Sequence, residues 1–493
     1  MPENIQIKSD EITFAARGQA VVEARQPLEA ESKVLSVSAL ATAVPSEIFA
    51  GEVRYMGKVR FDCIVLTDGK VECMQTVAEF SDKISSPLIS AGTFVTLVPE
   101  VINVESSVEN GTLKTVAVVD TIAVLARSNE YQCLVQTDDC VYAEKRVVDY
   151  CTVSAEQSET VYVTDSTSAT KISEILCVTS RSVVTGAQAS DGEVKVSGAV
   201  YSNVIVRTDD DTVSTCKIVT PFVKSISAMG ASDGNTAIAI AEVDDATATL
   251  GAENNTIELA ITMRVNVTAI ECKHADAVVD VFCADNEIEP KTVEANCVAV
   301  DPLVTVIDTV DGQIPIAADR LAADNVLCVN GSFCTLSESK VEEGRVIVEG
   351  LVGGDIVYYN AEKNDVDTLS FRLPFSMPLT IHTDAANIWA TATVTDVTVR
   401  VRRESVFDIK AEVAFTLLPS TPSVCSFVES VSMGAEIPRP DASVIVHIAK
   451  AGETLWQAAK ALCCSPERVK QQNDAPAPYA GGERLINFCS KSK

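Results

Sequence analysis

The chain is 493 residues long, 47% apolar, and carries a formal charge of −30 from 39 basic and 69 acidic side chains. That length supports three or four domains with cores of their own, while the acidity argues against nucleic acid and anionic membranes, whose phosphates call for clustered Lys and Arg. No run of eighteen apolar residues is present to span a bilayer. Sixteen irregularly spaced cysteines, three histidines (His274, His382 and His447) and the lack of a Cys-x-x-Cys pair argue against a disulfide framework, a metal site or a cofactor.

The first residues, Met1-Pro2-Glu3-Asn4-Ile5-Gln6, are polar and acidic where a secretory leader needs a basic start and an apolar stretch. A cytoplasmic chain with reduced thiols is expected. Cys63, Cys177 and Cys328 alternate with Val or Ile and read as small buried apolar residues.

Organisation along the chain is set by a repeat of long period. A strand-like Val34-Leu35-Ser36-Val37 is followed by Gly51-Glu52-Val53 and Gly57-Lys58-Val59. The same succession recurs as Ile175-Leu176-Cys177-Val178 with Gly192-Glu193-Val194 and Gly198-Ala199-Val200, and as Val326-Leu327-Cys328-Val329 with Gly344-Arg345-Val346 and Gly350-Leu351-Val352. Downstream the copies continue through Phe80, Phe222 and Phe375, then through turns at Asn110-Gly111, Asn254-Asn255 and Arg403-Glu404.

In the first copy Val53, Tyr55, Val59, Phe61, Cys63 and Val65 alternate with Glu52, Arg54, Lys58, Arg60 and Asp62, the pattern of a half-buried strand. Asp68-Gly69 then fits a type I′ hairpin. Gly57, Gly198 and Gly350 lie on the apolar side, where close packing or a bulge explains them better than a ligand does. Strand-like runs upstream of the copies, among them Gly18-Gln19-Ala20-Val21, Thr160-Val161-Tyr162-Val163 and Gln313-Ile314-Pro315-Ile316, belong with the copy that follows them.

Near the C-terminus, Pro422, Pro438, Pro440 and several serines read as a linker. Beyond it Val446-His447-Ile448 forms a strand, Thr454 caps a helix with Gln457 completing a capping box, Ser465-Pro466 opens a second helix that Asn473 closes, and Gly482-Glu483-Arg484-Leu485-Ile486 forms a last strand. The expected fold is mainly β: three repeated all-β domains, each a sandwich or partly open barrel, followed by a small α+β module of βααβ order. The expected bounds are 1–128 (core 32–128), 129–272 (core 172–272) and 273–419 (core 324–419), then a linker at 420–443 and the module at 444–489.

The C-terminal unit resembles a LysM module. The β copies, with their Ile/Val-Leu-x-Val strand, Gly-x-Val-x-x-x-Gly strand, acidic turn and Pro-Phe step, resemble the SPOCS domain of clostridial sporulation proteins. Three such units followed by one LysM are similar to a family of spore-coat assembly proteins. The resemblance implies a non-enzymatic scaffold in the mother-cell cytoplasm, at the forespore surface or coat, whose partner is a coat basement-layer protein of the stage IV sporulation protein A type.

It also implies a binding face built from the loop Gly452, Glu453, Thr454, Leu455 and Trp456 and the loop from Asn473 to Tyr479. Trp456 and Tyr479 are the large aromatic candidates for contact, and shielding of the module's own core explains Trp456 equally well. LysM modules of secreted proteins hold N-acetylglucosamine polymers in this groove, so a peptidoglycan or glycan binder of the cell or spore envelope is the alternative. Residues 441–493 carry seven basic and five acidic side chains, giving +2 against −32 for residues 1–440, a contrast that favours an acidic partner and a module reaching outward on its linker.

No Gly-x-Ser-x-Gly, P-loop, His-Glu-x-x-His or Cys/His dyad stands out, so no catalytic residue is expected. Asp138-Asp139, Asp209-Asp210 and Asp244-Asp245 read as solvated turns or strand ends, and His447 as a packing substitute for the Tyr usual at that LysM position.

Overall fold

The computed structural model describes residues 2–488 apart from 30, 92, 170, 252–255, 317–322, 361–362, 403–405 and 439–442. In the first copy the strands are β1 (Glu3–Pro27), β2 (Lys33–Phe49), β3 (Glu52–Thr67), β4 (Lys70–Ser85), β5 (Val95–Glu109) and β6 (Thr112–Gln136). They form two antiparallel sheets, β2-β3-β4 and β1-β6-β5. The edge strands of the two sheets meet, β2 against β5 and β4 against β1, so the six strands wrap one core like a flattened barrel.

The second copy repeats the plan with β7 (Val141–Ser168), β8 (Ile172–Ser190), β9 (Glu193–Thr208), β10 (Val213–Ser227), β11 (Thr236–Leu250) and β12 (Thr256–Cys283), paired as β8-β9-β10 and β7-β12-β11. In the third, the leading strand is split at 301–303 into β13 (Asn286–Val300) and β14 (Val304–Pro315). Both halves pair with β19 (Val406–Glu436), which also pairs with β18 (Asn387–Arg402), and the other sheet is β15 (Ala323–Glu342), β16 (Arg345–Asn360) and β17 (Asp365–His382). The strand order is therefore the same in all three copies. The upstream runs around Val21, Tyr162 and Ile314 lie in β1, β7 and β14, the leading strand of each.

Local chemistry explains the shared meander. Asp68 and Gly69 take φ of 50° and 76°, and Asn110 and Gly111 take 50° and 73°, the left-handed pair that a type I′ hairpin demands. The turn positions Asn254-Asn255 and Arg403-Glu404 lie outside the described residues. Gly57, Gly198 and Gly350 stand directly opposite Phe80, Phe222 and Phe375 across the sheet. A Cβ on any of them would lie 2.5, 2.7 or 2.9 Å from that ring, and 2.5, 2.2 or 2.3 Å from the carbonyl oxygen of Thr42, Val183 or Thr335. The bare backbone lets the ring lie across the strand while the preceding strand closes in.

Alternation holds in the first part of β3, where Val53, Tyr55, Val59 and Phe61 are buried, but from Phe61 to Val65 both faces are covered. The cover is the other copies. One cluster joins Leu35, Ile64 and Val71 of the first copy with Leu176, Ile205 and Val213 of the second and Leu327, Val357 and Val366 of the third, the same three positions each time. β4 touches β8, β10 touches β15 and β17 touches β2, so each copy hands its third meander strand to the next in a closed ring. Polar ties cross these joints: Arg60 donates to the Val178 carbonyl (2.9 Å), Arg207 to the Val71 carbonyl (2.7 Å), and Lys33 to the Val366 carbonyl (2.8 Å).

The long strands extend past the barrels as three two-stranded arms, which meet in a second shared core. Here Tyr131, Ala275 and Cys425 occupy equivalent positions, as do Cys133, Ala277 and Phe427. Both clusters are what an approximate threefold axis through three equivalent barrels produces.

The expected linker is corrected by this arm. Ser420–Glu436 is the second half of β19, paired with β13 from Ser420–Val300 to Glu436–Asn286. Its Pro422 faces Val298 within the ladder, so proline and serine marked an edge strand and not a flexible tether. Pro440 and Asp441 lie outside the described residues. After them come β20 (Val444–Ile448), α1 (Leu455–Ala461), α2 (Pro466–Gln472) and β21 (Arg484–Phe488), with β20 and β21 antiparallel. No helix among the described residues is long and apolar enough to cross a membrane.

Candidate functional site

The C-terminal βααβ unit is organised by its caps. The Thr454 hydroxyl accepts from the Gln457 amide (3.2 Å) while the Gln457 side chain accepts from the Thr454 amide (2.9 Å), closing the capping box. Ser465 accepts from the Arg468 amide (3.1 Å), with Pro466 in the first turn of α2. Asn473 donates to the Val469 and Ile486 carbonyls (2.8 and 3.0 Å) and accepts from the Ile486 amide (2.7 Å). It thus clamps the end of α2 to β21.

The two loops expected to form a groove are bonded to each other. Gly452, at φ 79°, donates its amide to the Tyr479 carbonyl (2.8 Å), and the Tyr479 amide donates to the Glu453 carbonyl (3.0 Å). Burial works to raise the Glu453 pKa, but its bonds from the Lys450 amide (2.7 Å) and His447 (2.7 Å) outweigh that and hold the carboxyl below its ordinary value. His447 is accordingly a polar partner of Glu453, where the sequence suggested only a packing substitute. Gly452 and Thr454 are exposed and Leu455 is half-buried.

Trp456 and Tyr479 are not exposed contact probes. Tyr479 is 2% exposed, and burial raises its phenol pKa. Trp456 is 9% exposed, and what covers it is the second copy. Its indole N–H donates to Asp280 Oδ2 at 2.7 Å, and its ring meets Phe282 edge-on at 5.0 Å, with Tyr142 against Phe282 beyond. Lys460, one turn along α1, binds both Asp280 oxygens at 2.8 and 2.9 Å. Burial tends to raise the Asp280 pKa, and the bonds from Lys460 and Trp456 reverse it, leaving the carboxyl below its ordinary value.

The unit expected to reach outward is therefore docked on the arm of the second copy, its basic charge answered by an acid of the same chain. Asp280, Phe282 and Tyr142 had not been singled out from the sequence. The available signal was the four-residue spacing of Trp456 and Lys460, which puts both on one helix face.

A second concavity lies where the three barrels meet, a cavity of about 660 Å³ lined by Glu100, Arg181, Glu242, Cys334 and Trp389 among others. Burial raises the pKa of Glu100 and lowers that of Arg181. Burial also pushes the Cys334 thiol up to about 12. Of the acidic pairs, Asp138-Asp139 and Asp209-Asp210 lie in turns as expected. Asp244-Asp245 instead sits at a bulge in β11, where Asp244 accepts from Arg264 at 2.6 Å. Among the described residues no group of three or more His, Cys, Asp or Glu is placed to hold a metal ion.

Residues 322–402 match the family model described as SipL, SPOCS domain. The match spans β15 to β18, the meander of the third copy and the strand after it. It supports a sporulation-related protein. No curated protein matches the chain.

Proposed function

We infer that this chain is a non-catalytic scaffold of spore-coat assembly, acting in the mother cell at the forespore surface. The observation that carries the reading is that the SPOCS match falls on one of three copies with one strand order, which makes the other two SPOCS-like as well. Three such barrels closed around shared cores form a broad, rigid body with most of its surface left for protein contacts. The C-terminal unit is a LysM-like module, and its partner is a coat basement-layer protein of the stage IV sporulation protein A type.

Because Trp456 is engaged by Asp280 and Phe282, the partner face consists of what the docked module leaves exposed, namely Gly452, Thr454, Asp474, Pro476, Ala477 and Pro478. The test is a fluorescent fusion of the full chain followed through sporulation, together with pull-down of the purified basement-layer protein. Recruitment to the forespore and capture of that protein are expected. Tight binding of N-acetylglucosamine oligomers with no capture of the coat protein would replace this reading with the glycan alternative.

A further inference from the structure

Cys151 and Cys272 are free thiols, and they are poised for a reaction with each other. Cys151 on β7 and Cys272 on β12 face one another at the same step of the ladder, with Sγ to Sγ at 2.9 Å. That is inside the contact distance of two unbonded sulfurs, and directly opposed residues of an antiparallel pair have the Cα spacing that a disulfide accepts. Cys272 is exposed and Cys151 is buried, so one sulfur meets solvent while the other waits behind it.

The pair also has a particular place. It sits at the neck of the second copy, where the arm becomes the barrel, and the 120 residues between the two cysteines are the body of that barrel. The equivalent facing pairs in the first and third copies are Asp10 with Ser128 and Val298 with Pro422. Of the three necks, only the second carries facing thiols.

We propose that Cys151 and Cys272 are a redox modification site, forming a reversible disulfide that staples the neck of the second copy when the protein meets a peroxide. The exposed Cys272 sulfur attacks the peroxide, forming an S–O bond as the O–O bond breaks, and yields a sulfenic acid and one water. The Cys151 sulfur then displaces the sulfenic hydroxyl, forming the S–S bond and releasing the second water, so the two thiol protons leave in the two waters. Peroxide is the oxidant, and a dithiol reductant reverses the change. The structural consequence is a covalent tie between the strands by which the chain enters and leaves the barrel, which restricts the unfolded chain over a long loop. This proposal is independent of the partner of the module, since Cys272 lies at the neck, toward the barrel from the Asp280 on β12 where the module docks.

The experiment treats the full chain with graded hydrogen peroxide, blocks remaining thiols, and maps disulfides by mass spectrometry without reduction. Expected is a Cys151–Cys272 cross-linked peptide as the first product, with loss of two thiols per chain, an upward shift of the unfolding midpoint, and reversal by dithiothreitol. Cys272→Ser should abolish the cross-link with the far-ultraviolet circular dichroism unchanged. Cys151→Ser should leave Cys272 as a sulfenic acid that dimedone captures, a signature that a merely structural cysteine would not give. The proposal is overturned if Cys272 is oxidised to the sulfinic acid while Cys151 stays free, or if the neighbouring pair Cys297 and Cys425 links first.

Discussion

Asp280 shows how one carboxylate can fix a module. It accepts from the Trp456 indole and from Lys460, and Phe282 two residues on fills the space beside the ring. Trp456→Ala removes the bond and the aromatic contact together, and should cost about 3–5 kcal/mol, read by chemical denaturation with α1 hydrogen exchange reporting release of the module. The pH response follows from the depressed Asp280 pKa. The docked carboxylate is favoured at all pH above its ordinary value of 3.8, and this contribution is lost as pH falls through the lower folded value. Docking should therefore weaken only in strong acid, and Asp280→Asn should weaken it at neutral pH.

Glu242 behaves in the opposite sense. Burial at the three-barrel junction lifts its pKa from 4.5 to about 8 in spite of Arg264 at 3.3 Å. The folded chain keeps a proton that the unfolded chain releases, so stability should fall as pH rises from 4.5 to about 8 and level off above that. Urea midpoints measured across this range should show the slope, and Glu242→Gln should flatten the part of it that Glu242 contributes. A slope unchanged in the variant assigns it to other groups, Glu156 among them, whose pKa burial raises to about 7.

At the scale of elements, the recurring device is the glycine opposite a phenylalanine. Gly198→Ala places a methyl group against the Phe222 ring and, at 2.2 Å, against the Val183 carbonyl oxygen. The ring can turn aside and the carbonyl cannot move without its strand, so a loss of about 1–3 kcal/mol is expected. Phe222→Leu in the same chain should restore little of it, which thermal denaturation of the double variant would check. A full rescue would mean that the ring, and not the strand approach, demands glycine. The repeat itself was legible because this device leaves a residue-level trace at matching positions, whereas the arm at Ser420–Glu436 was missed because its prolines and serines follow the composition of a linker.

For the whole molecule, the three barrels are interdependent because two cores belong to all of them. Phe427 is fully buried where the arms meet, beside Cys133 and Ala277 of the other copies. Phe427→Ala should cost about 3–5 kcal/mol and should lower amide protection in the arms of all three copies at once. Loss confined to β13 and β19 would show that the arms are independent.

The sequence by itself determined the β architecture, the three copies, the glycine and phenylalanine positions, and both helix caps, because turn, cap and alternation chemistry act over a few residues and leave local marks. Only the tertiary structure decided what covers the outer face of β3 beyond Phe61, why Trp456 is buried, and that the expected linker is a strand. Each of these depends on a surface supplied by a segment more than a hundred residues away, and the pairing of such surfaces is set by burial and charge in three dimensions, which one-dimensional periodicity does not record.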